Sequence, residues 1–218
     1  MRIAPVSLVK RSHVTAAPRI LQAAEDCFGE HGIDAVSLRQ IAIAAGQGNT
    51  AAVQYHFGSK EGLLEAIFQH RLPAIDQRRK ALIETLDPQQ RTQVRSLLKI
   101  IFQPIWEIRN AQGRPSYALF LRRLNNTTGM PPEWRRAADR APVTSQTVNY
   151  LRHCMSDVSP AAQDFRILLV TSLILDAFWK ADTVRSDGIA ASLLISTALD
   201  MSCAAIQCAE SEAPEPGF

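Results

Sequence analysis

The stretch SLRQIAIAAGQGNTAAVQYHFGSK, residues 37–60, decides the fold. Ser37 is a good N-cap for a short helix, and Gln40 three positions later completes a capping box. A Gly-Gln-Gly turn breaks that helix, and Asn49 directly after the turn can cap a second short helix. Two short helices joined by a glycine-containing turn predict a helix-turn-helix.

The second short helix carries groups suited to reading the edges of base pairs. Val53 and Phe57 are predicted to face inward, and the outward positions are small or polar. A glutamine amide can pair with adenine, and alanine or threonine methyl groups can contact a thymine methyl. The candidate contacts to bases are Thr50, Ala51, Gln54, Tyr55 and His56. Ser37 and Lys60, near the starts of two helices, are placed for phosphate oxygens.

Helical spacing continues through the rest of the chain, and no alternating strand pattern closed by a tight turn is found. The sequence predicts an all-α protein with a helix-turn-helix domain at residues 15–60 and a helical body at residues 61–208. A flexible basic arm is expected at residues 1–14 and a disordered acidic tail at residues 209–218. Pro73 should kink or end the helix that begins after Ser59. Five longer helices are predicted at residues 89–110, 115–126, 131–155, 160–181 and 187–208.

Residues 19–71 resemble the N-terminal domain of the TetR family of transcriptional regulators. The matching elements are IL-x-AA-x-x-x-F from Ile20, SLRQIA from Ser37, AG from Ala45 and YHF-x-SKE-x-L from Tyr55. The resemblance implies a three-helix DNA-binding head on a helical body that binds ligands and forms a dimer, typically in a ligand-released repressor. Carried over residue by residue, it implies DNA contacts by Ser37, Arg39, Thr50, Ala51, Gln54, Tyr55, His56 and Lys60.

Two features depart from the family's usual pattern. The turn after Ala45 is one residue longer than usual, which affects the register of the second helix. The position that is most often aromatic in that helix is Gln54 here. Both departures bear on which side chains reach the bases.

The body carries aromatic residues at spacings that fit a cavity for a small apolar effector. The candidate ligand-binding residues are Phe102, Trp106, Tyr117, Phe120 and Phe178. The alternative for any one of them is that it only fills the core. Residues 91–152 contain eleven Lys or Arg and three Asp or Glu, which favours an effector with an acidic group, although a solvated basic face would give the same count.

Residues 165–179, FRILLVTSLILDAFW, are apolar on nearly every helical face. A helix that packs against one core needs only one apolar face. Together with the helix at residues 187–208, this segment predicts a four-helix interface in a homodimer. A dimer also has the symmetry to bind a palindromic double-stranded DNA operator.

Composition excludes several other classes of protein. The hydrophobic fraction of 46% and the charged fraction of 21% are those of a globular domain. The longest nearly uncharged apolar run, residues 167–177, is too short to span a membrane, and the N-terminal residues contain no secretory signal pattern. The four cysteines are scattered without metal-ligand spacing, so a reduced cytoplasmic protein without metal or cofactor is expected.

Two other hypotheses compete with a DNA-binding regulator. A helical enzyme would need convergent titratable groups in the body, and Asp176 is the only ionisable residue within the run at residues 167–177. A protein-interaction module that does not bind DNA is disfavoured because residues 35–60 contain no acidic side chain. The sequence therefore favours a regulator that is not an enzyme.

Overall fold

The computed structural model describes residues 16–126, 140–184 and 188–210, and these residues form nine α-helices and no strand. The all-α prediction is confirmed. The helices are α1 (Ala16–His31), α2 (Leu38–Ala44), α3 (Ala51–Phe57), α4 (Lys60–Glu84), α5 (Val94–Glu107), α6 (Ser116–Asn125), α7 (Pro142–His153), α8 (Pro160–Thr183) and α9 (Gly188–Gln207). The predicted basic arm and all but two residues of the predicted acidic tail lie outside the described residues.

Helices α1 to α3 form a head around a small apolar core. Ile20 and Phe28 of α1, Ile41 of α2 and Val53 of α3 have no exposed surface. The capping box predicted at the start of α2 is present, and the chain leaves α1 through Gly32 with φ of 90°. A residue without a Cβ atom adopts that left-handed conformation at little cost, so the turn between the first two helices is fixed by sequence.

Helix α4 connects the head to the body. Ser59 caps it by accepting a hydrogen bond from the backbone of Gly62, and the helix continues through Pro73 to Glu84. The proline therefore does not end the helix. It removes one backbone hydrogen bond, while buried side chains such as Ile67 before it and Ile75 after it hold both halves against the core.

The body consists of α5 to α9 packed beside the second half of α4. Helix α5 includes Pro104. Of the helix predicted at residues 89–110, the part before α5 forms only a short 3-10 helix at Gln90–Thr92. Pro142 stands at the first turn of α7, where its missing N–H costs nothing, so it starts a helix rather than kinking one. The preceding residues 131–139 of that predicted helix lie outside the described residues.

Helices α8 and α9 pack against each other and leave large apolar side chains exposed. Residues Ala190–Gln207 of α9 are long and apolar enough to cross a membrane by length and composition alone. The same segment carries Asp200, which pairs with Arg95 of α5. Its apolar character is therefore weak support for a membrane span.

A buried polar network joins the head to the body. Glu25 of α1 is 1% exposed, and Arg71 of α4 binds its carboxylate through two hydrogen bonds of 2.7 and 3.0 Å. Ser116 at the start of α6 donates a further hydrogen bond to Glu25. Beside this network, the ring of Phe120 in α6 lies 6.2 Å from that of Phe28, measured between centroids. Three helices are thus held in one arrangement at the junction.

Candidate nucleic-acid interface

Helix α3 presents one buried side and one open side, as a recognition helix requires. Val53 is completely buried, while Gln54 is exposed and Tyr55 has 81% of its surface exposed. Ala51 at the first position of the helix is exposed as well, and Thr50 before it is half-buried. The predicted base-contacting residues Ala51, Gln54 and Tyr55 therefore lie on the accessible surface of the head.

The start of α3 differs slightly from the prediction. A cap at Asn49 predicts a helix over roughly residues 50–55, and the observed helix begins at Ala51 and ends at Phe57. Thr50 occupies the capping position, and its side chain makes no capping hydrogen bond. The Oδ1 atom of Asn49 accepts a hydrogen bond of 2.9 Å from the backbone N–H of Ala51. Asn49 thus stabilises the start of α3, as expected, although it lies one residue before the capping position, which Thr50 occupies.

Ser37 and Arg39 both lie exposed at the start of α2. The Ser37 hydroxyl accepts a hydrogen bond from the Gln40 backbone and donates one of 2.8 Å to the Gln40 side chain. The Ser37 backbone N–H also donates to that side chain, at 2.8 Å. Because Gln40 holds the first turn of α2 in this way, Arg39 projects from a fixed helix end.

Lys60 is half-buried, and its Nζ atom donates a hydrogen bond of 3.0 Å to the backbone carbonyl of Ile33. This contact ties the start of α4 to the loop between α1 and α2. An ammonium group has three donors, so a phosphate oxygen can bind Lys60 without loss of the Ile33 contact.

His56 is placed differently from the other predicted contacts. Its ring is half-buried between its neighbours, with centroids 5.3 Å from Tyr55 and 5.9 Å from Phe57. Its Nε2 atom is buried and has no hydrogen-bond partner within the described parts of the chain. Only the remainder of the ring is accessible to DNA.

The sequence analysis missed Gly62, in the first turn of α4. A Cβ atom at this position would lie 2.2 Å from the backbone carbonyl oxygen of Phe57, the last residue of α3. The absence of a side chain therefore allows the end of α3 to approach α4. The available signal was a glycine inside a helix, where this residue is otherwise unfavourable.

The predicted ligand-binding residues are mostly buried in the body. Phe102, Tyr117, Phe120 and Phe178 belong to the core, and Trp106 is half-buried with its ring 4.9 Å from that of Phe178. Burial raises the pKa of the Tyr117 phenol, as does the charge of Glu25, so this group is neutral at physiological pH. Effector binding by these five residues stays a prediction.

Two cavities of about 270 Å³ each lie beside this core. One is bounded by α4 and by Arg140, two residues before α7, and its lining residues are Gln69, Leu72, Pro73 and Arg140. The other lies between α1 and α6 and is lined mainly by polar side chains, including those of Asp26, Asn110 and Arg114. In the described residues, no group of three His, Cys, Asp or Glu side chains is placed to hold a metal ion.

Comparison with known proteins identifies the head. A family model described as bacterial regulatory proteins of the tetR family matches residues 20–67. The head is therefore similar to the regulatory proteins of the TetR family. The matched residues run from α1 into α4 and contain the whole helix-turn-helix. TetR-family regulators are generally transcription factors and not enzymes.

A relative with this domain is the HTH-type transcriptional regulatory protein RaaS of Mycobacterium tuberculosis (strain ATCC 25618 / H37Rv). The two proteins are 41% identical over 80 residues, which cover 37% of this chain and 37% of the relative. The match therefore spans little more than a third of the relative's length.

Two solved structures share the fold over most of the chain. A HlyIIR mutant protein aligns with a TM-score of 0.54 and 20% identity, over 87% of this chain and 96% of that one. A structure assigned to the tetR family from Shewanella sp. PV-4 aligns with a TM-score of 0.52 and 19% identity, over 86% and 97%. At these identities the likeness concerns the fold alone.

Proposed function

We propose that this protein is a cytoplasmic repressor that binds a palindromic DNA operator as a homodimer and releases it when a small, mostly apolar effector binds the body. The observation that carries the proposal is the open side of α3, where Gln54 and Tyr55 are exposed on a helix whose other side is buried. A side chain amide and a phenol on a protruding helix are suited to base edges in a major groove.

The contacts fall into two groups by chemistry. Thr50, Ala51 and Gln54 are the candidates for base contacts because they occupy the first turn of α3, the part of a recognition helix that meets the bases. Arg39 and Lys60 are the candidates for phosphate contacts, which attract DNA of any sequence. Ser37, Tyr55 and His56 complete the proposed surface at the ends of α2 and α3.

The exposed apolar side of α8 and α9 supports the homodimer. Phe165 and Leu169 of α8 and Leu193 of α9 each have about two thirds of their surface exposed, and Met201 has 54% exposed. Large apolar side chains that share one helix pair lose contact with water when the same pair of a second copy packs on them. A dimer also places two recognition helices for the two halves of a palindrome.

Effector release follows from linkage between body and head. An effector lowers operator affinity only if it binds more tightly to a dimer whose recognition helices no longer fit the half-site spacing. Helix α4 runs from the head at Lys60 into the body, and Arg71 on it binds Glu25 of α1. A change around the predicted aromatic residues therefore has a continuous path to the head.

The test is selection of bound sequences from a randomised duplex library by the full-length protein. We expect an enriched palindrome, with affinity that falls steeply as salt concentration rises, because several phosphates are neutralised in each half-site. A library that yields no enriched sequence, or an enriched sequence without two-fold symmetry, contradicts the proposal. A variant with Gln54→Ala in the same selection shows whether α3 reads the bases.

A further inference from the structure

Helix α1 of the head lies very close to α6 of the body at Gly29. A Cβ atom at this position would lie 3.1 Å from the Cβ atom of Leu119 and 3.1 Å from the backbone nitrogen of Phe120, whereas ordinary contacts are 3.4–4 Å. Gly29 has an ordinary helical conformation, so its backbone does not require a glycine. Because the backbone of α6 cannot move aside as the tip of a side chain can, Gly29 determines how closely the head approaches the body.

Arg123 of α6 holds this close contact from the other end. Its Nε atom donates a hydrogen bond of 3.3 Å to the backbone carbonyl of Gly29, and its Nη2 atom donates one of 2.8 Å to that of Glu30. Both carbonyls belong to the last turn of α1, where backbone carbonyls have no partner within the helix. One guanidinium of α6 therefore caps the end of α1.

The start of α6 and the turn before it are bonded to α1 as well. Ser116, the first residue of α6, donates a hydrogen bond to the buried carboxylate of Glu25, and Asn110 in the turn donates one of 2.8 Å to Asp26. The contacts with α6 and its preceding turn thus extend over residues 25–30, the second half of α1. The head cannot turn on the body unless buried polar groups such as Glu25 and Ser116 lose their partners, which costs free energy.

Direct contacts also connect α1 to the recognition helix and α6 to the proposed dimer interface. Helix α3 packs against α1, and its Val53 is completely buried, so the position of α3 follows that of α1. On its other side, α6 is joined to α8, where Asn125 donates a hydrogen bond of 2.7 Å to Ser172 and Arg122 pairs with Asp176. A continuous line of packed helices therefore runs from α3 through α1 and α6 to α8.

We propose that the contact between α1 and α6, close at Gly29 and held by Arg123, sets the half-site spacing that the dimer recognises. This inference rests on the proposed binding of a palindromic operator by a homodimer. The spacing of the half-sites must match the distance between the two recognition helices, and a displacement at this contact occurs in both protomers. Gly29 and Arg123 are therefore positioning residues, which act on operator binding through the placement of α3.

The first experiment moves α1 away from α6 and compares three duplexes with the full-length protein. Gly29→Ala must separate the two helices by a few tenths of an ångström. We expect affinity for the selected operator to fall about fivefold or more, and affinity for a single half-site to stay unchanged. The loss should be smaller on an operator with a short single-stranded gap at its centre, because an intact duplex of this length is stiff. Gly188→Ala, where an added Cβ atom meets nothing within 4 Å, is the control.

The second experiment releases the end of α1 with Arg123→Met. Operators whose two half-sites are one base pair closer or further apart are compared with the selected spacing. We expect the preference for the selected spacing to fall about fivefold or more, because the head is less firmly held on the body. Arg91→Met is the matched control: it removes the same charge and a hydrogen bond to a backbone carbonyl, that of Leu86, only five residues away in the sequence. It should keep the wild-type preference.

Circular dichroism and light scattering establish that each variant is folded and dimeric, and if Gly29→Ala is not, the spacing preference of Arg123→Met decides alone. Three results would overturn the inference: unchanged operator affinity in Gly29→Ala, an equal loss on the half-site and the operator, or an unchanged spacing preference in Arg123→Met. If the wild-type protein selects a palindrome and the variants behave like it, only the spacing role is rejected. If the wild-type protein selects no palindrome, the proposed operator binding is rejected as well.

Discussion

At the scale of single residues, the proposed interface separates base reading from attraction to the DNA backbone. Gln54 is exposed on α3, and its amide can make paired hydrogen bonds to one base. Gln54→Ala should therefore cost about 1–3 kcal/mol at particular operator positions and leave the others unchanged. Competition binding with single-base operator variants measures this. Gln77→Ala, an exposed glutamine on α4, is the control.

Lys60 should behave in the opposite way. As a phosphate contact it carries no sequence information, so Lys60→Ala should weaken binding to all duplexes alike. It should also reduce the slope of log affinity against log salt concentration by about one. Lys80→Ala, which removes an exposed lysine from the far half of the same helix, should change neither quantity. A loss confined to certain operator bases would show that Lys60 contacts bases rather than phosphate.

Gly62 sets the approach of α3 to α4. Gly62→Ala would place a Cβ atom within 2.2 Å of the Phe57 carbonyl oxygen, and the end of α3 must move to relieve the overlap. We expect a loss of about 1–3 kcal/mol in the free energy of unfolding and weaker operator binding. Denaturant unfolding and mobility shift measure the two effects. Gly188→Ala, where an added Cβ atom meets nothing within 4 Å, should cause neither.

At the scale of helices, the junction of α1 and α4 depends on the buried pair of Glu25 and Arg71. Arg71→Met leaves a buried carboxylate without its cation, which should lower the free energy of unfolding by about 3–5 kcal/mol. Adding Glu25→Gln to that variant should recover part of the loss, because the uncompensated charge is gone. Arg78→Met removes a surface pair with Glu107 and should cost about 0–1 kcal/mol. Equal losses from Arg71→Met and Arg78→Met would contradict the buried role.

The helices that the sequence predicted well are those with local signals. The capping box of Ser37 and Gln40 and the turn at Gly32 involve residues at most a few positions apart, so their physics is visible in the sequence. The pairing of Glu25 with Arg71 joins residues that are far apart in the sequence, and no periodic pattern indicates it. Of the two outcomes predicted at Pro73, an end of the helix is wrong, because packing of distant residues decides whether a helix continues.

The candidate sites also divide into features with local sequence signals and features that depend on contacts between distant residues. The exposure of Gln54 followed from the spacing of α3, because one face of a short helix must be buried. The partners of Arg123 are two carbonyls of α1, 94 and 93 residues earlier in the sequence, and they depend on how α1 and α6 meet. A charge count over residues 91–152 includes this arginine without indicating its partners.

At the scale of the whole molecule, the proposed operator binding depends on two copies of the chain. Leu193 of α9 is 65% exposed and makes a small contribution to the protomer's own core, so Leu193→Glu should leave each protomer folded. In the proposed four-helix interface, the same substitution buries a charge without a partner, which strongly disfavours association. We expect a monomer at micromolar concentration by light scattering, with the helical content of the wild-type protein by circular dichroism.

The monomer should also bind the operator far more weakly than the wild-type dimer. In the proposed complex each α3 reads one half-site, and a dimer makes the second contact at the high effective concentration set by the first. Loss of that linkage should lower operator affinity by about a hundredfold or more, while affinity for a single half-site stays near the wild-type value. Tyr150→Glu, at an exposed aromatic residue of α7, is the matched control and should stay dimeric. A Leu193→Glu protein that remains dimeric, or a monomer that keeps full operator affinity, would refute the interface and its role in DNA binding.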